Sequence, residues 1–91
     1  MKQSELKLDG NAIAGLLGEI FAIEMTLAEG TCRGCGNVDA VGGVDVYTNA
    51  PGVVARCRAC GQVLMRIVRT ERRIWIDMSG IRCLEVKLSA E

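Results

Sequence analysis

The first apolar residues of the chain recur at helical intervals. Ile13, Leu16, Leu17, Ile20 and Phe21 follow one another in steps of three, one, three and one, with Ile23 next and Glu19 on the opposite side, as in an amphipathic helix. Asp9-Gly10-Asn11 offers N-cap residues just ahead of them, so a helix is expected over about Asn11 to Ile23. Gly15 and Gly18 interrupt it. Each costs about 1 kcal/mol relative to alanine in an exposed helix interior, which argues that they allow close packing against another element.

After the helix the period shifts to two. Val44-Asp45-Val46-Tyr47-Thr48 alternates, Asn49-Ala50-Pro51-Gly52 is turn chemistry, and Val53-Val54-Ala55-Arg56 returns, so a β-hairpin is expected. Gln62 to Arg69 and Arg73 to Met78 form a second antiparallel pair about Thr70-Glu71-Arg72, and Met25 to Thr31 and Ile81 to Leu88 read as further short strands. In the second hairpin Val63, Met65 and Ile67, with Ile74, Ile76 and Met78, make one apolar face. That face should pack on the stripe of Ile13, Leu16, Leu17 and Ile20, within the chain or across a dimer.

The chain has 91 residues, enough for one domain over residues 1–91, and no linker or internal repeat divides it. Hydrophobic residues make up 49%, so the chain should fold, yet a core this small commonly needs a disulfide or a metal. Eleven Lys and Arg balance eleven Asp and Glu, which excludes the strongly basic balance of a dedicated nucleic-acid binder. The charge is unevenly spread. Residues 1–50 carry three basic and seven acidic side chains, a balance of −4, whereas residues 51–91 carry eight and four, a balance of +4. The N-terminus lacks the apolar core of a secretory signal and no span approaches 18 apolar residues, so a cytosolic location with no membrane contact is expected. Thiols stay reduced there, and clustered cysteines more often bind metal than pair as disulfides.

The cysteines carry the chemistry. Cys32-Arg33-Gly34-Cys35-Gly36 and Cys57-Arg58-Ala59-Cys60-Gly61 share the pattern C-x-x-C-G with 21 residues between Cys35 and Cys57. Two residues between cysteines let both sulfurs of a tight turn face one ion, and two such turns supply the four thiolates that zinc prefers. Zinc held by Cys32, Cys35, Cys57 and Cys60 is therefore expected, with Gly36 and Gly61 permitting the tight backbone after each pair. Four thiolates around a divalent cation leave a charge of −2, which Arg33, Arg56 and Arg58 are placed to offset. The fold class this implies is α+β, an N-terminal helix at about 11–23 on a small antiparallel zinc ribbon at about 26–88.

Iron is the rival metal, since paired C-x-x-C-G turns also describe a rubredoxin-like electron carrier. Such carriers enclose the iron in aromatic side chains, and this chain has only Phe21, Tyr47 and Trp75. Four protein thiolates close the coordination shell, and a chain without histidine lacks the commonest general base, so enzymatic activity is not expected. Neither G-x-G-x-x-G nor G-x-x-x-x-G-K-[ST] is present, and no small-molecule substrate is evident. The expected role is a binding module for a protein partner or a second copy of the chain. A nucleic-acid-binding ribbon is the alternative, with Arg66, Arg69, Arg72, Arg73 and Arg82 as a basic face and Trp75 as a stacking platform. Cys83 has no C-x-x-C partner and reads as a small buried hydrophobe.

Leu8-Asp9-Gly10-Asn11-Ala12, the two C-x-x-C-G turns, Tyr47 with Ala50-Pro51-Gly52-Val53, Val63-Leu64-Met65-Arg66-Ile67-Val68-Arg69 and Trp75-Ile76-Asp77 are specific as a set. From Leu8 to Val86 the chain resembles a family of small, uncharacterised bacterial proteins, largely actinobacterial, with a zinc-ribbon-like cysteine pattern. The resemblance implies a metal-binding single domain and supplies no activity, substrate or catalytic residue. Cys83 lies outside the pattern.

Overall fold

A computed structural model describes residues 7–21, 24–49 and 52–87. The fold is α+β, with one short helix and two antiparallel sheets. In chain order the elements are β1 (Lys7–Asp9), a 3-10 turn at Gly10–Ile13, α1 (Ala14–Ile20), a 3-10 turn at Met25–Leu27, β2 (Glu29–Cys32), β3 (Val38–Ala40), a 3-10 turn at Val41–Gly43, β4 (Asp45–Asn49), β5 (Gly52–Arg56), β6 (Val63–Arg69), β7 (Ile74–Asp77) and β8 (Ile81–Glu85). The larger sheet runs β1-β4-β5-β6-β7 and the smaller β3-β2-β8.

Both expected hairpins are present, β4–β5 and β6–β7, although Ala50 and Pro51 of the first turn lie outside the described residues. The final strand is present too, but it joins β2 in the second sheet rather than extending the first. The helix is shorter than the apolar stripe suggests. Asp9 caps the first turn by accepting from the Asn11 N–H at 3.1 Å, yet that turn is 3-10, regular α-helix covers only seven residues, and Phe21 is already extended at φ −113°. Ala22 and Ile23, the expected last turn, lie outside the described residues. Seven residues cannot hold a helix in water by themselves, so α1 exists because Ile13 and Leu17 are buried in the core.

That core lies against one face of the larger sheet. Val46, Ala55 and Met65 form a continuous row across β4, β5 and β6, all but inaccessible to solvent, and Ile67 follows on the same face of β6. Ile13 and Leu17 join this cluster, as the helix stripe requires, together with Met25, Ala28, Val41 and Val44 from the turns around β2 and β3. Two irregularities interrupt the strand alternation. Ala55 pairs with Met65 but Arg56 with Val63, so Leu64 is an extra residue in β6, and consecutive Leu64 and Met65 are both buried. Thr31 pairs with Cys83 but Cys32 with Ile81, so Arg82 is the extra residue in β8, and Ile81 and Leu84 both reach the core despite their odd spacing.

The glycines divide by what surrounds them. A Cβ on Gly10 would overlap the Val41 carbonyl, so this glycine lets the Gly10–Ile13 turn lie directly on the Val41–Gly43 turn. Gly15 and Gly18, in contrast, face open space, and the close packing expected of them is absent. They carry only the helix-propensity cost. Gly18→Ala should therefore stabilise the protein by about 0.5–1 kcal/mol, raising Tm by roughly 2–8 °C, while Gly10→Ala should destabilise it by at least about 1–3 kcal/mol. Thermal unfolding of the two variants checks the opposite signs.

Candidate metal centre

Each C-x-x-C-G segment is the turn of a hairpin, one in each sheet. β2 runs into Cys32 and β3 leaves after Asn37, while β5 ends just before Cys57 and β6 leaves after Gln62. The two turns close identically. The Cys32 N–H donates to the Asn37 carbonyl at 2.9 Å and the Gly36 N–H to the Cys32 carbonyl at 2.9 Å; the Cys57 N–H donates to the Gln62 carbonyl at 2.8 Å and the Gly61 N–H to the Cys57 carbonyl at 2.7 Å. Gly36 and Gly61 sit at φ +80° and +84°, a backbone that favours glycine and folds the second cysteine back toward the first. The strand irregularities at Arg82 and Leu64 lie directly beside Cys32 and the approach to Cys57, where bulges commonly re-aim side chains.

All four Sγ atoms of Cys32, Cys35, Cys57 and Cys60 lie within 4.8 Å of one another. Cys32 lies 3.7 Å from Cys60 and Cys35 lies 3.7 Å from Cys57, so the short distances run between the turns. They are far from the roughly 2.05 Å of a disulfide. They match the edge, about 3.8 Å, of a tetrahedron whose corners stand about 2.3 Å from a central ion, the zinc–thiolate bond length. The donor set and its spacing thus fit a tetrahedral metal ion, zinc or iron. Cys32 and Cys57 are buried among the core residues, while Cys35 and Cys60 stand at the exposed turn tips. Such an ion would be walled by the core on one side and open to solvent on the other.

Without a cation the two thiols of the first turn are unequal. The Cys35 N–H, with that of Gly34 and the neighbouring sulfurs, draws the Cys32 thiol down to about 7 against the opposing effect of desolvation. The Asn37 N–H acts on Cys35 in the same sense, at 3.4 Å, but desolvation and the sulfurs of Cys57, Cys60 and Cys32 outweigh it and push this thiol up to about 12. In the second turn the Ala59 N–H points at the Cys57 sulfur at 3.4 Å.

The three arginines brace the turns rather than donating to sulfur. Arg56 holds its own turn closed by donating to the Gly61 carbonyl at 2.8 Å. Arg58 reaches across to Asp39 at 3.1 Å, where the same carboxylate oxygen accepts from Asn37 Nδ2 at 2.9 Å. Arg33 donates to the Ser79 carbonyl through Nε at 2.8 Å and to the Gly80 carbonyl through its backbone N–H at 2.8 Å, and the Gly80 N–H in turn donates to the Leu64 carbonyl at 3.2 Å. The β7–β8 turn therefore links one knuckle to the strand that leaves the other. Asp39, Ser79 and Gly80 escape a reading of the sequence, though Asp77-Met78-Ser79-Gly80 is recognisable turn chemistry; Asp77 caps it by accepting from the Ser79 N–H at 2.9 Å. Cys83 is exposed on the edge strand β8, not buried as expected, because the extra residue Arg82 turns Ile81 and Leu84 to the core instead.

Cys60→Ser should lose the metal and at least about 3 kcal/mol of stability, whereas Cys83→Ser should keep one ion per chain, with metal content and unfolding midpoint measured on both. Loading must also displace the proton from Cys35. Affinity should therefore fall as pH drops, more steeply once Cys32 also protonates below about 7. Chelator competition between pH 6 and 8.5 reads this directly, and a pH-independent affinity would contradict it.

No curated protein and no solved structure matches the chain. A family model does match residues 2–89, almost the whole length, in agreement with the resemblance to an uncharacterised family. The chain with this four-cysteine centre belongs to the family of unknown function DUF6510.

Proposed function

We propose that the protein is a structural-zinc ribbon module of the cytosol that works by binding another protein surface. The observation that carries this reading is the closed donor set: four sulfurs within 4.8 Å of one another satisfy a tetrahedral ion and leave no coordination position for water or substrate. No histidine is available as an alternative ligand or base. Zinc is favoured over iron because neither knuckle contains an aromatic residue, whereas a rubredoxin-like carrier encloses its iron in several. A reducing compartment suits four thiolates that must not oxidise.

A protein partner is favoured over nucleic acid by the placement of the arginines. Arg66 and Arg69 lie on opposite faces of β6, Arg69 is near Glu19 at 3.5 Å, Arg66 stands opposite Asp77, and Arg82 belongs to the other sheet. Arg72 and Arg73 do line a shallow hollow with Trp75, but Arg69 lies on the other face and Arg82 in the other sheet, so the five do not gather on one surface. Elemental analysis of purified protein should find one zinc per chain and no visible absorption, and iron with a thiolate charge-transfer band would overturn the assignment. Retention on single-stranded nucleic acid that weakens steeply with salt would overturn the preference for protein.

A further inference from the structure

We infer that β7 is a self-pairing edge that joins two copies of the chain through a twofold axis at Trp75. This rests on the reading of the chain as a metal-braced binding module and names the partner as a second copy. β7 is the last strand of the larger sheet among the described residues, and every residue from Ile74 to Asp77 is exposed, with Ile74 at 39%, Trp75 at 51% and Ile76 at 41%. The strand has no proline, lysine or bulge of the kind that protects sheet edges.

The backbone restricts how a second copy can add. The Thr70 N–H donates to the Arg73 carbonyl at 2.8 Å, so Arg73, and by alternation Trp75 and Asp77, turn their backbone groups toward β6. Ile74 and Ile76 turn theirs outward. An antiparallel partner must pair outward residues with outward residues, which puts a twofold axis on a residue and never between two. With the axis on Ile74, Glu71 meets Asp77 of the second copy, two like charges. With the axis on Ile76, Trp75 meets Asp77 and Arg73 meets Ser79. The axis on Trp75 pairs the whole of β7 and is complementary along it: Ile74 pairs with Ile76, Trp75 with its own copy, and Arg73 with Asp77 at both ends.

The rest of the sheet continues this match. Ile76 lies beside Ile67 and Trp75 beside Val68, so the apolar rows run on across the axis, and Asp77 falls between Arg66 of its own chain and Arg73 of the second copy. Two five-stranded sheets become one, with like residues in register and charges paired.

Sedimentation of the metal-loaded full chain from about 1 to 500 µM tests the proposal, with zinc content measured on the same samples. The expected species at high concentration has twice the 9.8 kDa of one chain. Ile76→Arg and Arg73→Asp, both at exposed positions, should each raise the dissociation constant by at least about tenfold without loss of zinc. In a Cys83→Ser background, Trp75→Cys should cross-link to a covalent dimer under mild oxidation, since residues on the axis face each other at close range, while Arg73→Cys should not. A zinc-loaded chain that stays monomeric overturns the proposal and leaves the edge to a strand of another protein, with the metal reading intact. A dimer indifferent to these substitutions, or cross-linked equally at both positions, overturns the edge and the register.

Discussion

Four sulfurs at tetrahedral spacing stand where the two sheets meet, two from each. Cys32 and Cys35 belong to a hairpin of the smaller sheet, Cys57 and Cys60 to a hairpin of the larger, and the 3.7 Å contacts run between them. A metal at that point is therefore a cross-link between sheets rather than a decoration on one turn. The strand pairings themselves are mostly local, β2 with β3, β4 with β5, β5 with β6 and β6 with β7, and each could form without the other sheet. The long-range exceptions are β1 with β4 and β8 with β2. Among the described residues thirteen hydrophobic side chains are buried, Cys32 and Cys57 with them, so the cysteine site and the core are one cluster.

The scaffold around the sulfurs is built for rigidity at the turn bases and access at the tips. Backbone hydrogen bonds close both turns, Arg56 and the Arg58–Asp39 pair clamp them from outside, and the β7–β8 turn ties Arg33 to the strand following the second knuckle. Arg58 is largely exposed, so its ion pair contributes at most about 1 kcal/mol and serves mainly to fix orientation. None of these groups touches a sulfur, and the negative charge of a tetrathiolate is moderated at a distance by guanidinium groups and directly by N–H donors from Asn37 and Ala59.

Burial is distributed unevenly over the larger sheet. Its central strands carry the core row of Val46, Ala55 and Met65, while β7 at the edge is exposed along its length. The helix is too short to reach across, since seven residues span only about 10 Å. Ile74 and Ile76 stay exposed at that margin.

The sequence by itself determined the local chemistry: the two C-x-x-C-G turns with their positive-φ glycines, the β4–β5 and β6–β7 hairpins, and the helix stripe of Ile13 and Leu17. All depend on residues within a few positions of one another, where spacing dictates geometry. Only the tertiary structure decided the rest. That Gly15 and Gly18 face solvent, that the helix stops at Ile20, that β8 pairs with β2 and that Cys83 lies outside are set by long-range packing. The extra residues Arg82 and Leu64 shift strand alternation by one, and such a slip leaves no local mark because any residue can occupy it. Periodicity identifies an element's face only where its register is unbroken, and here it breaks beside each half of the cysteine site.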